Sequence, residues 1–449
     1  MKNIRLLTII GFLSLLICWN PSMAAQETRT VEGLIYDLQS PEAKIRKEAA
    51  TALGDNKIRE AVPQLIKMTS DPDPDVRYEV VKALVYINDT RALQAFIEFT
   101  RDEQVRVQKR AVAGLVNVYA GQEGGFTQGM MDAFNFLNPL DDGFNPLIVE
   151  PYIQVSDKTV SAIENLLFSP DKGLRKDAAV ALGILKAEAA SKAITQALEG
   201  ESDDEVKVEL LRALYKIGDP ATGEAVIPFI KDPDKEIHDT AIMTAGRLRL
   251  KSAVPSLNEI YRLGTEERRT ALGFIPVSGP DDLQKKVLDA LALIGDRRSQ
   301  DIFEDALEDE RTEYRRYGAE GLGRIGDKAF TTLLAKKFLQ EERRSVKLAL
   351  SFALYRLGRE EHLNEMVEQV ESDQAYSYLL EMPSGDVSLL YSYVGSQDND
   401  RKAELLKIIG LRGDRESIDF IRRYVNHEDA DVASAANLAT RYYNSRFHS

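Results

Sequence analysis

A register of apolar residues that returns every 31 or 32 positions governs what this chain can fold into. It is plainest between Glu205 and Gly218, where Val206, Leu210, Ala213, Leu214 and Ile217 follow the i, i+4, i+7, i+8, i+11 spacing of one helix face. Gly218 and Asp219 then end that helix and begin another. Gly accepts a left-handed backbone at a helix end, and an Asp carboxylate accepts from the free N–H groups of the next helix. The apolar run from Ala225 to Ile230 opens the second helix, so the unit is a helix pair.

With Leu214 as reference, the same place holds Leu53, Leu84, Leu115, Leu182, Ala245, Leu291, Leu322, Leu354, Ile409 and Thr440. The residue just before it is small in every unit but one: Ala52, Ala83, Gly114, Ala181, Ala213, Thr244, Ala290, Gly321, Ala353 and Ala439, with Ile408 the exception. Small residues there let neighbouring helices approach at the short end of the usual interaxial range of about 8 to 10 Å. A fixed period of this length is the sign of a solenoid, in which each unit buries its apolar face against its neighbours. Val31 to Leu38 reads as a single helix that caps the N-terminal end of the array.

The units resemble HEAT repeats of the short kind found in bilin lyases and many bacterial proteins. Ile45-Arg46, Val76-Arg77 and Leu174-Arg175 carry the likeness at the helix start, and Ala52-Leu53-Gly54 and Ala181-Leu182-Gly183 at its middle. Gly295-Asp296 and Gly326-Asp327 carry it at the turn, and Ala61-Val62-Pro63 and Ala253-Val254-Pro255 at the opening of the second helix. The resemblance implies an all-α fold, a right-handed α-solenoid of about eleven helix pairs with concave and convex faces. It implies partner binding as the commonest role and no particular partner.

Three interruptions break the period, at about 119–153, 265–282 and 373–396. The third holds two short apolar segments around Pro383, Ser384 and Gly385 and reads as a shrunken repeat. The second ends in a turn marked by Gly and Pro and reads as a modest loop. The first combines turn formers with large apolar residues, among them Phe126, Met130, Met131, Phe134, Phe136, Leu140 and Phe144. Long loops in compact arrays are functional or disordered as a rule, and this one is too apolar for disorder. Those seven residues are the candidate partner-binding set. The stretch is either a plug packed on the solenoid or an arm that inserts into a partner or a second copy.

The N-terminus differs from the rest. Lys2 and Arg5 precede an apolar run from Leu6 to Cys18, followed by small residues at Ser22, Ala24 and Ala25, the pattern of a secretory signal peptide over residues 1–25. About 13 apolar residues are too few to span a bilayer, which takes about 20. The expected location is therefore the periplasm or the extracellular space, with a lipid anchor at Cys18 as a minor alternative. Cys18 is the only cysteine, so the cleaved chain can form no disulfide, thiolate metal site or cysteine nucleophile. Cleavage would also take the formal charge from -14 to -16. A surface of that sign repels phosphate backbones and anionic lipid headgroups, so neither nucleic acid nor direct membrane insertion of the cleaved chain is expected.

The motifs that could carry chemistry are better explained by the repeat. Gly321-Leu322-Gly323-Arg324-Ile325-Gly326 matches the dinucleotide fingerprint, which works only between a strand and a helix, whereas these glycines fall at ordinary repeat positions. Asp71-Pro72-Asp73-Pro74-Asp75 opens like an EF-hand loop, but Val76 and Lys82 stand where Gly and a bidentate Glu are needed. Helix capping is the simpler role, with weak surface calcium binding left open. The deoxyhypusine hydroxylases, another HEAT family, bind iron through repeated His-Glu pairs, and this chain has only His427-Glu428. No HExxH, GxSxG or P-loop occurs, so no cofactor, metal or catalytic residue is expected. Arg46, Arg77, Arg175 and Arg315 recur in register and suggest either an anion-binding ladder or, preferably, pairing with acids along the solenoid.

The function expected is a non-enzymatic protein-binding scaffold or adaptor of the cell envelope. The alternative is a bilin-lyase-like enzyme or carrier with a ligand in its groove. Export argues against a cytoplasmic tetrapyrrole role, and the chain offers no cysteine or paired histidine to hold a chromophore. Self-association is a third expectation, because the last helix, Asp431 to Tyr443, has no second helix to cover it.

Overall fold

The computed structural model describes residues 30–121, 148–271 and 280–447, and every regular element among them is helical. The signal segment and all seven candidate partner-binding residues lie outside the described residues. An N-terminal helix, Val31–Asp37, is capped by the Thr30 hydroxyl and buries Leu34 and Leu38 against the first repeat.

The first helices of the units are Ala43–Asp55, Pro74–Ile87, Val105–Ala120, Lys172–Ile184, Asp204–Ile217, Lys235–Arg247, Pro280–Ile294, Thr312–Ile325, Arg344–Arg356, Asn399–Arg412 and Ala430–Phe447. Each contains one of the reference residues. All of those are fully buried except Thr440, which lies in the last helix and keeps part of its surface. First helices stack side by side, with Asp373–Leu380 of the third interruption standing between Arg344–Arg356 and Asn399–Arg412, and one continuous apolar core runs the length of the array, an all-α solenoid.

The small residues have a specific reason. Gly54, Gly183, Gly246, Gly323 and Gly410 lie over Ala83, Ala213, Ala290, Ala353 and Ala439 of the next first helix. A methyl on Gly54, Gly323 or Gly410 would stand 2.6 Å from the facing Cα, so these backbones touch where the helices cross. Gly114 and Gly321 instead make room for the rings of Phe96 and Phe303 from the preceding second helices.

Second helices are shorter and more varied, such as Val62–Lys67, Leu93–Phe99, Gln300–Leu307 and Thr331–Gln340. After Asp204–Ile217 the expected second helix is replaced by two 3-10 turns, Pro220–Ala225 and Ile227–Lys231. Pro228 has no N–H to give to a helix there, and Gly223 is pressed against Leu250. The turn from first to second helix uses one left-handed residue. It is Gly at Gly218, Gly295, Gly326 and Gly358, and a side-chain-bearing residue at Lys57, Asn88, Lys186 and Arg249.

Two interruptions read differently in three dimensions. The backbone stays helical from Val254 to Ala271, so the second helix of that unit runs into the stretch expected to be loop. The third interruption forms the helix Asp373–Leu380, a turn over Ser384–Leu389 and the short helix Leu390–Val394. Their Tyr378, Leu379, Val387 and Leu390 are buried in the common core.

Candidate functional site

The arginines in register are spent on the fold. Arg46 donates from Nε and Nη2 to the Asp71 carboxylate at 2.7 and 2.8 Å, and from Nη1 to the Ser40 carbonyl at 2.9 Å. Arg77 does the same to Asp102 and the Asp71 carbonyl, Arg175 to Glu201 and the Ser169 carbonyl, and Arg315 to Glu341 and the Asp309 carbonyl. Each guanidinium thus ties the loop before its own helix to the loop before the first helix of the next unit. Each acid also accepts a backbone N–H, from Asp73, Gln104, Asp203 and Arg343 in turn. Burial pushes Glu201 and Glu341 up, but the arginines and the N–H donors outweigh it and hold both below the usual carboxylate range. The ladder is an internal clamp, and its donors are taken.

The EF-hand-like acids are also occupied. Asp71 holds Arg46, Asp73 caps Pro74–Ile87 through the N–H groups of Asp75 and Val76, and Asp75 meets Arg106. In the fingerprint-like run, Gly321 faces Phe303, Gly323 faces Ala353, and Gly326 is the left-handed cap of Thr312–Ile325. The His427 Nδ1 accepts from the Asp429 N–H.

A buried charge network went unread in the sequence. Arg324 donates to Glu320 at 3.1 Å, to Glu381 at 2.8 Å and to the Ala292 carbonyl at 3.0 Å, and its side chain is only 4% exposed. The Tyr378 hydroxyl donates to Glu320 at 2.5 Å, and Arg249 reaches Glu381 at 2.7 Å. Burial, and then Glu320, push the Tyr378 phenol well up. Beside the network, Asp289 is pushed up to about 6, by burial first and Glu320 second. The one sequence signal is Glu320 itself, a charge between Ala319 and Gly321 on an otherwise core-facing stretch.

The inserted stretch is fixed at both ends. Where it leaves, the Tyr119 hydroxyl accepts from the Ser156 N–H at 3.1 Å and lies 3.0 Å from the Thr159 hydroxyl, so exit and return stand side by side. Where it returns, the Val149 N–H donates to the Ile184 carbonyl at 2.8 Å. One residue on, Glu150 accepts from the Tyr442 hydroxyl at 2.8 Å, a contact spanning 292 residues. Tyr152 packs on the Tyr442 ring with centroids 5.9 Å apart, and Arg441 lies over Tyr152. Burial, and then Glu150, push the Tyr442 phenol up. The last helix was expected to have no second helix to cover it; no second helix covers it among the described residues, and the root of the inserted stretch lies against it instead, with Tyr442 and Tyr443 buried. This seam, Tyr119, Val149, Glu150, Tyr152 and Ser156 on one side and Arg441 and Tyr442 on the other, is the candidate site.

Among the described residues there is no group of three or more His, Cys, Asp and Glu side chains placed to hold a metal, and no helix long and apolar enough to cross a membrane. A shallow groove of about 400 Å³ is lined by Arg212, Asp234, Lys235, Glu236, Asp239 and Lys286. Its charges are engaged with one another, Arg212 with Glu236 at 2.9 Å and Lys286 with Asp239 at 2.9 Å.

The chain is similar to an engineered protein solved by a structural genomics consortium, at 18% identity over 92% of this chain and 98% of that chain, with a TM-score of 0.36. A designed armadillo repeat protein matches at 16% identity over 49% and 100%, with a TM-score of 0.32. A second engineered protein matches at 19% identity over 66% and 96%, with a TM-score of 0.29. At these TM-scores they add nothing to the fold described above. No curated protein matches. The family model for HEAT repeats matches residues 31–116 and 191–273, so the chain carries HEAT repeats over those residues, and helix pairs in the same register continue beyond them.

Proposed function

We propose that the chain is a non-enzymatic protein-binding scaffold of the cell envelope, and that its inserted stretch is the arm that engages the partner. The observation that carries this reading is the double anchoring of the insertion, by Tyr119 at its exit and by Val149 and Glu150 at its return. Tied flanks on a stretch whose sequence is rich in Phe and Met support the arm reading, since exposed apolar surfaces mark interaction sites. The internal pairing of the ladder arginines and of the groove charges supports a binding rather than a catalytic role. Export over residues 1–25 belongs to the same proposal and is tested by the N-terminal sequence of the secreted or periplasmic chain.

The test is a pull-down from envelope extract with the full chain and with a version in which residues 123–146 are replaced by a Gly/Ser linker. That replacement leaves Tyr119, Val149, Glu150 and Ser156 in place. A partner held by the first and lost by the second is the expected result. The same partner held by both would take the role from the arm and give it to the solenoid surface. Failure of both to hold a protein would overturn the scaffold reading.

A further inference from the structure

In a regular solenoid each unit touches only its neighbours, so a contact that skips units reports how the array turns back on itself. Two such contacts stand out among the described residues. Arg249, just past Lys235–Arg247 in the sixth unit, reaches Glu381, just past Asp373–Leu380, at 2.7 Å. Four helix steps separate the two, about 32 to 40 Å of a straight stack at the usual interaxial spacing. The gap closes because the C-terminal ends of the helices in between converge. Arg324, one residue before the end of Thr312–Ile325, also holds Glu381, at 2.8 Å, and donates at 3.0 Å to the Ala292 carbonyl, two residues before the end of Pro280–Ile294. The second contact is that of Glu150 with Tyr442, at 2.8 Å. Glu150 follows Val149, whose N–H is tied to Ile184 of the fourth unit, and Tyr442 belongs to the last helix.

Both contacts cross one joint, between the sixth and seventh units. The step there, from Ala245 to Leu291, is longer than the 31 or 32 positions of a regular step. The first helices of the two units meet where Gly246 lies on Ala290, and a Cβ on Gly246 would stand 2.7 Å from the Ala290 Cα. Backbone touching backbone at one crossing is a pivot, with Lys286 and Asp239 paired at 2.9 Å beside it. The contacts that reach across are polar. The Arg249 side chain is 49% exposed, whereas Arg324, which ties units on one side of the joint only, is 4% exposed. Arg249 also stands at φ 54°, where four other units use Gly, so its hold on Glu381 is kept against backbone strain.

We propose that the array is a two-jaw clamp, hinged between the sixth and seventh units and held shut by two catches, Arg249–Glu381 near the pivot and Glu150–Tyr442 at the far end. One jaw is units one to six, with the root of the insertion; the other is unit seven to the last helix. Each jaw keeps its own helix stack as the clamp opens, and only the catches and the crossing of Gly246 on Ala290 change.

Pulsed spin-label distances in the full chain test this. In a Cys18→Ser background, Ser161→Cys and Ser434→Cys place labels on exposed positions of opposite jaws, and Glu60→Cys with Ser161→Cys places both on one jaw. The parent should give one narrow distance between jaws. Arg249→Gly removes one catch and installs the residue that four other units carry there, so the turn still folds. Tyr442→Phe removes the hydroxyl of the other catch and keeps the ring. Each should raise the population of a second, longer distance about fivefold, and the two together should make it the larger one. Sodium chloride at 1 M should act like Arg249→Gly on the parent, because it screens a half-exposed ion pair. The same-jaw distance should stay unchanged throughout. The proposal is overturned if the doubly substituted chain keeps the parental distance between jaws, or if the same-jaw distance shifts with it, which would mean loosening of the whole stack rather than a hinge.

Discussion

Replacing Gly323 by Ala puts the helix-crossing geometry to a test in which two effects have opposite signs. Inside a helix, Ala is better than Gly by about 1 kcal/mol, so on propensity alone Gly323→Ala stabilises. In Thr312–Ile325, however, the new methyl would lie 2.6 Å from the Ala353 Cα and 2.8 Å from its Cβ. Carbon atoms rest at about 3.5 to 4.0 Å, so the two helices must part by about 1 Å. Leu322 and Leu354 flank the contact and are fully buried, so parting the helices opens voids on both sides. Overpacking of this kind costs about 1 to 3 kcal/mol, and a backbone atom as the obstacle puts it at the upper end. The net loss is about 2 kcal/mol. Gly200→Ala is the control, since nothing lies within 4 Å of the added methyl, and it should be neutral or stabilising. In a chain this long the shift in melting temperature is small, so amide exchange in Thr312–Ile325 and Arg344–Arg356 is the better readout. About 2 kcal/mol corresponds to roughly thirtyfold faster exchange by local opening. A Gly323→Ala chain that exchanges as slowly as its parent would refute the reasoning.

Arg315→Met should cost about 2 to 3 kcal/mol and speed amide exchange in the loop at Glu341, because it strands a carboxylate that is mostly buried. Asp289 predicts a pH dependence: its folded pKa is raised from 3.8 to about 6, so the stability it lends is full below 3.8 and is lost as pH rises through about 6. Asp289→Asn should flatten the melting temperature between those values and should stabilise the fold at neutral pH by at most about 3 kcal/mol. Unchanged pH profiles in parent and variant would contradict the placement of that carboxyl. Tyr442→Ala removes the Glu150 hydrogen bond and the Tyr152 ring contact together, so amide protection should fall both at Glu150–Tyr152 and in Ala430–Phe447. Loss of protection confined to the last helix would show that the seam does not join them.

Much of the fold was legible because the repeat states it eleven times. Each reference residue sits in a first helix, and the small residue before it marks where backbones cross. The arginine clamps were legible for the same reason, since Arg46 and Asp71 keep the spacing of Arg77 and Asp102. What escaped is what the repeat does not fix. The curvature of a solenoid is the sum of small rotations between units, and no single residue states it. Hence neither Arg324 with Glu381, 57 residues apart, nor Glu150 with Tyr442 could be read from spacing. The left-handed turns were legible at Gly218, Gly295 and Gly326 but not at Lys57, Lys186 and Arg249, where the residue argues against the backbone it adopts. The candidate partner-binding residues lie outside the described residues, so for them the sequence remains the only guide.

The seam changes how the array should respond to load. In an open solenoid each unit touches only its neighbours, and a disturbance in one fades along the chain. Here Arg249 and Glu381 join the sixth unit to the shrunken repeat, and Glu150 and Tyr442 join the insertion to the last helix. Such polar contacts contribute about 1 to 3 kcal/mol each, whereas stacked first helices bury several fully apolar side chains at about 1.5 to 3 kcal/mol apiece. The seam is therefore the weaker joint, and it lies at the base of the insertion. On the proposed function, a partner pulling on the insertion would strain the Glu150–Tyr442 contact before any helix stack, and the last helix would then register that the insertion is occupied.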